Sequence, residues 1–181
     1  MVEDRIGYRY ANSVFQLAEE RNMIPGVKED MALILDIHTT NREFANFLKT
    51  PLISSPAKEK IITTIFEGRL KTQIVEHLVR LITRKGREMY LPHTATAFLQ
   101  IYDKHFGIVR GKLTSASPLS EDTKVAIKAA IEKETGNTFE MDHEVDPSLI
   151  GGFLLKMGDD LFDGSVVTSL RKIKQEFTKN N

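Results

Sequence analysis

The sequence predicts a mainly α-helical protein: an N-terminal six-helix bundle in residues 1–107, then a smaller α/β domain with a short mixed sheet and two helices in residues 108–181. Up to about residue 107, apolar residues recur at helical spacing, and proline, glycine or serine interrupts the pattern. Beyond Gly107, two segments alternate apolar and polar residues, as strands do. We therefore expect two domains, 1–107 and 108–181.

The first three helices are predicted from apolar stripes and end signals. One face of the first helix carries apolar residues three or four apart: Ile6, Tyr10, Val14, Leu17 and Ala18. This helix stops near Arg21, before Ile24-Pro25-Gly26, and a second runs from about residue 27 to 39. Asn41 caps a short third helix, which ends at Thr50-Pro51 because the residue before a proline avoids helical geometry.

Three more helices complete the predicted bundle, at residues 57–66, 70–84 and 87–105. Ser55 as N-cap, with Pro56 at the first helical position, starts the fourth helix, and Gly68 closes it. Gly86 is expected to end the fifth helix in a left-handed conformation. Pro92 falls near the start of the sixth, where a missing N–H costs least.

The second domain is predicted from alternating strands and turn residues. Its expected elements are strands 108–117 and 139–145, a helix at 123–134, a hairpin of 152–157 with 160–162, and a final helix from Val166 to about Phe177. Ser120 opens the first of these helices and Thr135-Gly136-Asn137 ends it. Gly158-Asp159 forms the hairpin turn.

Composition excludes several function classes. The 181 residues include 25 basic and 25 acidic side chains, so no net charge draws the chain to nucleic acid or anionic lipid. The absence of cysteine excludes disulfide scaffolds, thiolate metal sites and thiol nucleophiles. The opening segment resembles neither a secretory signal nor a transit peptide, and no stretch is apolar enough to span a bilayer. We expect no direct membrane insertion.

No motif in the sequence nominates an active site. Residues 107–113 lack the spacing of a phosphate-binding loop, and Gly151-Gly152 leads into a strand rather than a helix. The histidines do not fall at metal-ligand spacing, and the acidic run Asp142-His143-Glu144 alternates sides if it is a strand. We therefore expect no catalytic, metal-binding or cofactor-binding residue. A soluble enzyme with an unrecognised pocket remains an alternative.

The densest basic patch is Arg84-Lys85-Gly86-Arg87, at the predicted end of the fifth helix. Basic residues are favoured there by the helix macrodipole. No aromatic residues are interleaved with them, as they commonly are in single-strand-binding surfaces. A nucleic-acid-binding module is thus a second alternative.

Two predicted helices have more apolar surface than one core face requires. On the first helix, Tyr8, Ala11 and Phe15 form a second stripe beside the first. On the fifth helix, one face carries Ile74, Leu78, Leu81 and Ile82, and another carries Val75 and Val79. Either these helices are buried on all sides, or one stripe of each binds a helix of a partner protein.

The C-terminal region carries a longer motif. From Asp146 to Ile173 it has an acidic residue, a glycine pair, an apolar strand, Gly-Asp, a second strand, and Asp-Gly-Ser-Val before a basic amphipathic helix. The positions that carry the pattern are Gly151, Gly152, Gly158, Asp159, Asp163, Gly164, Ser165 and Leu170. This segment is similar to the delta subunits of F-type ATP synthases, called oligomycin sensitivity conferral protein in mitochondria. Arg9-Tyr10-Ala11 and Lys85-Gly86-Arg87 resemble two further motifs of that family. One departure is Val167-Thr168, where the family often has Arg-Gly.

The resemblance implies a non-catalytic stator connector that links the peripheral stalk to the alpha/beta catalytic head, so that proton-driven rotation is coupled to ATP synthesis. It implies that the helical domain holds the N-terminal helix of an alpha subunit against its first and fifth helices. The smaller domain is then expected to meet the C-terminal ends of the b subunits. The residues expected at the alpha-subunit contact are Tyr10, Ser13, Val14, Leu78, Leu81 and Ile82.

The resemblance also implies where the protein works and what it does not bind. We expect a peripheral location on the cytoplasmic face of the bacterial inner membrane. We expect no cofactor, no small-molecule substrate and no nucleic acid among its ligands.

Overall fold

A computed structural model of the chain describes residues 2–149, 151–158 and 160–163. Contacts divide the chain into two compact units, Met1–His105 and Phe106–Asn181, which we call the helical unit and the sheet unit. The predicted final helix at residues 166–177 lies outside the described residues, as do Asp159, Gly164, Ser165 and Leu170 of the C-terminal motif.

The described part of the helical unit contains six α-helices and one 3-10 turn. They are α1 (Val2–Glu20), α2 (Ile24–Thr40), α3 (Arg42–Lys49), α4 (Ser55–Phe66), α5 (Gln73–Arg84), the 3-10 turn Glu88–Tyr90 and α6 (Leu91–His105). Each of the predicted helices in this region is present, with differences at some of their starts.

The starts of α2 and α4 correct the sequence analysis. Pro25 lies in the first turn of α2 rather than before the helix. A proline is tolerated there because the N–H groups of the first helical residues have no acceptor within the helix, so no hydrogen bond is lost. In α4 the N-cap is Ser54, and Ser55 is already helical; the side chain of Ser54 makes no capping bond. Asn41 does cap α3 as predicted, because its side-chain oxygen accepts a hydrogen bond from the Phe44 N–H at 2.9 Å.

The start of α5 depends on a residue 42 positions away in the chain. The sequence predicted a start at residue 70, but α5 begins at Gln73, with Thr72 as N-cap. The carboxylate of Asp30, in α2, is buried and accepts hydrogen bonds from the Lys71 and Thr72 N–H groups at 2.7 and 2.9 Å. The Thr72 hydroxyl donates to the same carboxylate at 2.5 Å. Asp30 thus satisfies backbone N–H groups at the start of α5.

Helices α1 and α6 approach each other closely at Gly7. A Cβ atom at this position would lie 2.8 Å from the carbonyl carbon of His93, which is closer than real contacts allow. Further along the same pair of helices, the rings of Phe15 and Phe98 lie 5.6 Å apart, centroid to centroid. The core of the helical unit is therefore built around the α1–α6 contact.

The sheet unit begins with a βαβ arrangement. Its described elements are β1 (Ile108–Ser115), α7 (Glu121–Thr135), β2 (Thr138–Val145), β3 (Phe153–Met157) and β4 (Asp160–Asp163). The strand order is β2-β1-β3-β4; β1 and β2 are parallel, and the other pairs are antiparallel. The crossover through α7 allows the parallel pairing.

The core of the sheet unit is small. Leu113, Phe139 and Leu155 are buried at its centre, one from each of three strands. Gly111 leaves space for the Phe139 ring, since a Cβ there would lie 2.6 Å from it. The prediction of a mainly helical chain with a short mixed sheet is confirmed for the described residues.

Candidate partner-binding surface

The two apolar stripes predicted on α1 share one buried face. Ala11, Val14, Phe15 and Ala18 all lie in the core of the helical unit, although the sequence assigned them to different stripes. Tyr8 is exposed on one side of this face, whereas Tyr10 packs against the core from its edge. The surplus apolar surface of α1 is therefore much smaller than the sequence suggested.

Helix α5 is buried on both of its predicted faces. Its core residues are Ile74, Val75, Leu78, Val79, Ile82 and Thr83. Leu81 is the exception among its aliphatic side chains, with 47% of its surface exposed. Leu81 therefore lies on the exposed side of α5, the side that a partner protein can reach.

Burial separates the six residues expected at the partner contact into two groups. Val14, Leu78 and Ile82 are exposed by only 6%, 5% and 0%, so the structure brings them together in the core of the helical unit. They offer almost no surface to a partner, which corrects their assignment to a surface stripe. Ser13 and Leu81 are exposed, and Tyr10 is half-buried.

A cleft of about 300 Å³ lies beside Tyr10. It is lined by Ile6, Arg9, Tyr10, Ser13 and Arg87. The Arg87 guanidinium donates a hydrogen bond to the Tyr10 hydroxyl at 3.1 Å, across 77 residues of sequence. The cleft thus combines an aliphatic side chain, an aromatic ring and two cationic side chains. This chemistry suits a helix that presents an apolar residue next to a hydrogen-bond acceptor or a carboxylate.

Arg87 reaches the cleft because of the way α5 ends. The Arg87 N–H donates to the Ile82 carbonyl at 3.0 Å, and the Gly86 N–H donates to the Thr83 carbonyl at 2.9 Å. These two bonds form a Schellman motif, which requires the left-handed φ of +64° that Gly86 adopts. Sequence analysis noted Arg9-Tyr10-Ala11 and Lys85-Gly86-Arg87 as separate motifs, but it did not identify Arg9 or Arg87 as parts of one site.

Two of the three basic side chains at the end of α5 have partners within the helical unit. Arg84 Nε donates to Glu59 at 2.8 Å, and Arg87 bonds to Tyr10. Their placement at a helix C-terminus and their internal contacts explain this patch without nucleic acid.

The acidic run of β2 alternates sides, as its strand conformation requires. His143 Nε2 lies 2.8 Å from the Ser115 hydroxyl, whereas Glu144 forms an ion pair with Lys112. The hydrogen bond from Lys112 to Glu144, together with the charge of that carboxylate, raises the pKa of Lys112. Within the described ranges, no group of three histidine or carboxylate side chains is placed to hold a metal ion.

Comparison with known proteins identifies the family. The model of the family described as "ATP synthase delta (OSCP) subunit" matches residues 6–177. The chain belongs to this family. It is therefore a component of the F-type ATP synthase, and a structural subunit rather than a catalytic one.

Delta subunits of several bacteria match almost the full length of the chain. That of Desulfitobacterium hafniense is 33% identical over 178 residues, covering 98% of this chain and 99% of the relative. That of Cytophaga hutchinsonii is 32% identical over 179 residues, covering 99% and 97%. The delta-subunit resemblance stated from the motifs is confirmed.

A solved structure shows the same fold. A chain of the Toxoplasma gondii mitochondrial ATP synthase hexamer superimposes with a TM-score of 0.71, covering 95% of this chain and 97% of that one. At 19% identity, this similarity concerns the fold alone. Membership of the delta family makes the protein a peripheral subunit that is associated with the membrane through the complex. Among the described residues, none of the helices is both long and apolar enough to cross a membrane.

Proposed function

We propose that the protein is the stator connector of a bacterial F-type ATP synthase. In this role it links the b subunits of the peripheral stalk to the alpha/beta head on the cytoplasmic face of the inner membrane. The head is then held still while proton-driven rotation proceeds, so that rotation is coupled to ATP synthesis. The helical domain, residues 1–107, acts as a six-helix bundle that binds the head, and residues 108–181 bind the stalk.

The observation that carries the proposal is the cleft beside Tyr10. The cleft lies at the surface of the helical unit, outside its buried core, where another chain can reach it. The occupant we propose is the N-terminal helix of an alpha subunit. Tyr10 and Ser13 contact it directly, and Leu81 is an apolar anchor on α5.

The other three of the six residues expected at this contact are buried, and we assign them a supporting role in the core. Val14, Leu78 and Ile82 hold α1 and α5 together in one core. At the interface itself, desolvated apolar contacts such as the one we propose for Leu81 contribute more to binding than exposed ion pairs, which contribute about 0–1 kcal/mol each. A connector under rotational load is therefore better served by helix docking than by a charged surface.

Binding of an alpha-subunit N-terminal peptide to the full-length chain tests the proposal. We expect saturable binding to the wild-type protein. We expect Leu81→Asp to weaken it by about tenfold or more, because a carboxylate would replace an apolar anchor in the interface. Val14→Asp is unsuitable, because it would bury a charge in the core and unfold the domain.

Ile61→Asp is the matched control. Ile61 is an aliphatic residue of α4 that is 41% exposed, close to the value for Leu81, and it lies outside the proposed surface. Binding of the C-terminal segment of a b subunit should be the same for all three proteins, because that site is assigned to the sheet unit. Equal peptide affinity of the Leu81 and Ile61 variants would refute the assignment of α5 to the alpha-subunit site.

A further inference from the structure

A buried ion pair joins α4 to the 3-10 turn that follows Arg87. Lys58, in α4, forms an ion pair with Glu88, and these residues are only 3% and 7% exposed. Lys58 Nζ also lies 3.4 Å from the carbonyl oxygen of Leu48, in the last turn of α3, where a positive charge is favoured. The second carboxylate oxygen of Glu88, Oε2, is buried and has no hydrogen-bond partner among the described residues. Lys58 therefore provides the charge compensation that lets Glu88 stay buried.

Glu88 directly follows Arg87 and begins the 3-10 turn Glu88–Tyr90. The backbone of Arg87 is held on both sides: its N–H donates to Ile82, and its carbonyl accepts from the Tyr90 N–H at 2.9 Å. With the next side chain anchored to Lys58, the position of Arg87 is restrained by α4 as well as by α5.

The side chain of Arg87 is exposed, and its bond to the Tyr10 hydroxyl is a surface hydrogen bond. Such a bond alone does not hold a long side chain in one direction, because the ordering of that side chain offsets most of the gain. The position of its backbone therefore decides whether the guanidinium stays beside Tyr10.

We infer that Lys58, although buried and outside the cleft, is a positioning residue for the partner-binding cleft: by holding Glu88 it keeps Arg87 against Tyr10. This inference rests on the proposed function, because it assigns Lys58 a part in binding the alpha-subunit helix. It goes beyond that function by placing one determinant of affinity in α4, which does not line the cleft.

The test uses Lys58→Met, which keeps the length of the side chain and removes its charge. Lys60→Met is the control, since Lys60 is an exposed lysine of the same helix. We expect Lys58→Met to weaken binding of the alpha-subunit peptide by about tenfold, a coupling common for residues in one network. In a protein that already carries Arg87→Ala, Lys58→Met should weaken peptide binding by a further factor of about two or less. Equal losses in the two backgrounds would mean a merely structural role and would overturn the inference.

A second readout does not depend on the peptide. The 13C resonance of Tyr10 Cζ reports the hydrogen bond of the phenol in the free, full-length protein. Arg87→Ala should shift this resonance, Lys58→Met should shift it in the same direction, and Lys60→Met should leave it unchanged. If the wild-type protein does not bind the peptide but Lys58→Met shifts the Tyr10 resonance, the proposed function fails and the positioning role stands.

A resonance unaffected by Lys58→Met overturns the positioning role, whatever the peptide does. Should Lys58→Met fail to fold, as judged by circular dichroism, Glu88→Gln takes its place. That variant keeps the shape of the side chain and weakens the ion pair with Lys58. Its peptide affinity and its Tyr10 resonance support or overturn the positioning role in the same way.

Discussion

Replacing Asp30 with alanine should lower the free energy of unfolding of the helical unit by about 4 kcal/mol. Its carboxylate accepts three hydrogen bonds: from the N–H groups of Lys71 and Thr72, and from the Thr72 hydroxyl. Hydrogen bonds to a charged group contribute about 1.5–3 kcal/mol each, so the loss of the two bonds from backbone N–H groups costs about 3–6 kcal/mol. The Thr72 hydroxyl can rotate to another acceptor and adds little.

Asp30→Asn gives a graded version of the same test. The asparagine side chain keeps one acceptor oxygen and replaces the other with a donor, so about half of the loss, near 2 kcal/mol, is expected. Asp36→Ala is the control, because Asp36 is an exposed acidic residue of the same helix. Global stability is typically about 5–15 kcal/mol, so the Asp30→Ala change is readily measured.

The assay is guanidinium unfolding of the full-length chain followed by far-ultraviolet circular dichroism. Amide hydrogen exchange in α5 localises the effect, because Thr72 is the N-cap of that helix. Protection in the first turn of α5 should fall more than protection at its end. If Asp30→Ala is within about 1 kcal/mol of Asp36→Ala, the view that Asp30 caps α5 is wrong.

Three further changes test other parts of the helical unit. Gly7→Ala should lower the free energy of unfolding by about 1–3 kcal/mol, because the new Cβ would clash with the His93 backbone. An unchanged melting temperature would contradict that close approach. Gly86→Ala should lower the free energy of unfolding by about 1–2 kcal/mol, because alanine is strained at a φ of +64°. An unchanged stability would mean that the end of α5 does not require this conformation. Burial, with smaller contributions from the charges of Lys49 and His93, lowers the pKa of His38 below 6.5, so the folded protein disfavours the protonated form. Stability should therefore fall as the pH drops through about 6.5, and His38→Gln should reduce that fall in melting experiments; an identical pH dependence would rule out this contribution.

Local signals predicted the elements whose ends are stabilised by residues close in sequence. Asn41 caps α3 and Ser120 caps α7 by bonds to residues three positions away. Gly86 and Gly136 end their helices with positive φ, as their positions predicted. These features were predictable because each depends on a few consecutive residues.

The start of α5 was not predictable in this way. Apolar periodicity extended the helix back to residue 70, whereas Asp30 binds the N–H groups of Lys71 and Thr72 and makes Thr72 the N-cap. The acceptor is on another helix. Nothing in the local sequence around residue 72 indicates that such an acceptor exists.

The candidate site was predicted only in part. Periodicity identified α1 and α5 as helices with surplus apolar residues, but it could not tell which of these residues the protein's own core would bury. Val14 and Leu81 are equally apolar in sequence, yet one is in the core and the other is exposed. Arg87 was missed as a cleft residue, because its contact with Tyr10 spans 77 residues of sequence.

The sequence by itself determined the family, the mainly helical fold with a short mixed sheet, and the order of the described elements. The reason is that apolar periodicity and sequence motifs depend on residues that lie within a few positions of each other. Only the tertiary structure decided which apolar side chains remain at the surface, and it alone joined Arg87 to Tyr10 and Lys58 to Glu88. Burial and pairing of this kind depend on which element packs against which, and that information is absent from the spacing of residues along one helix.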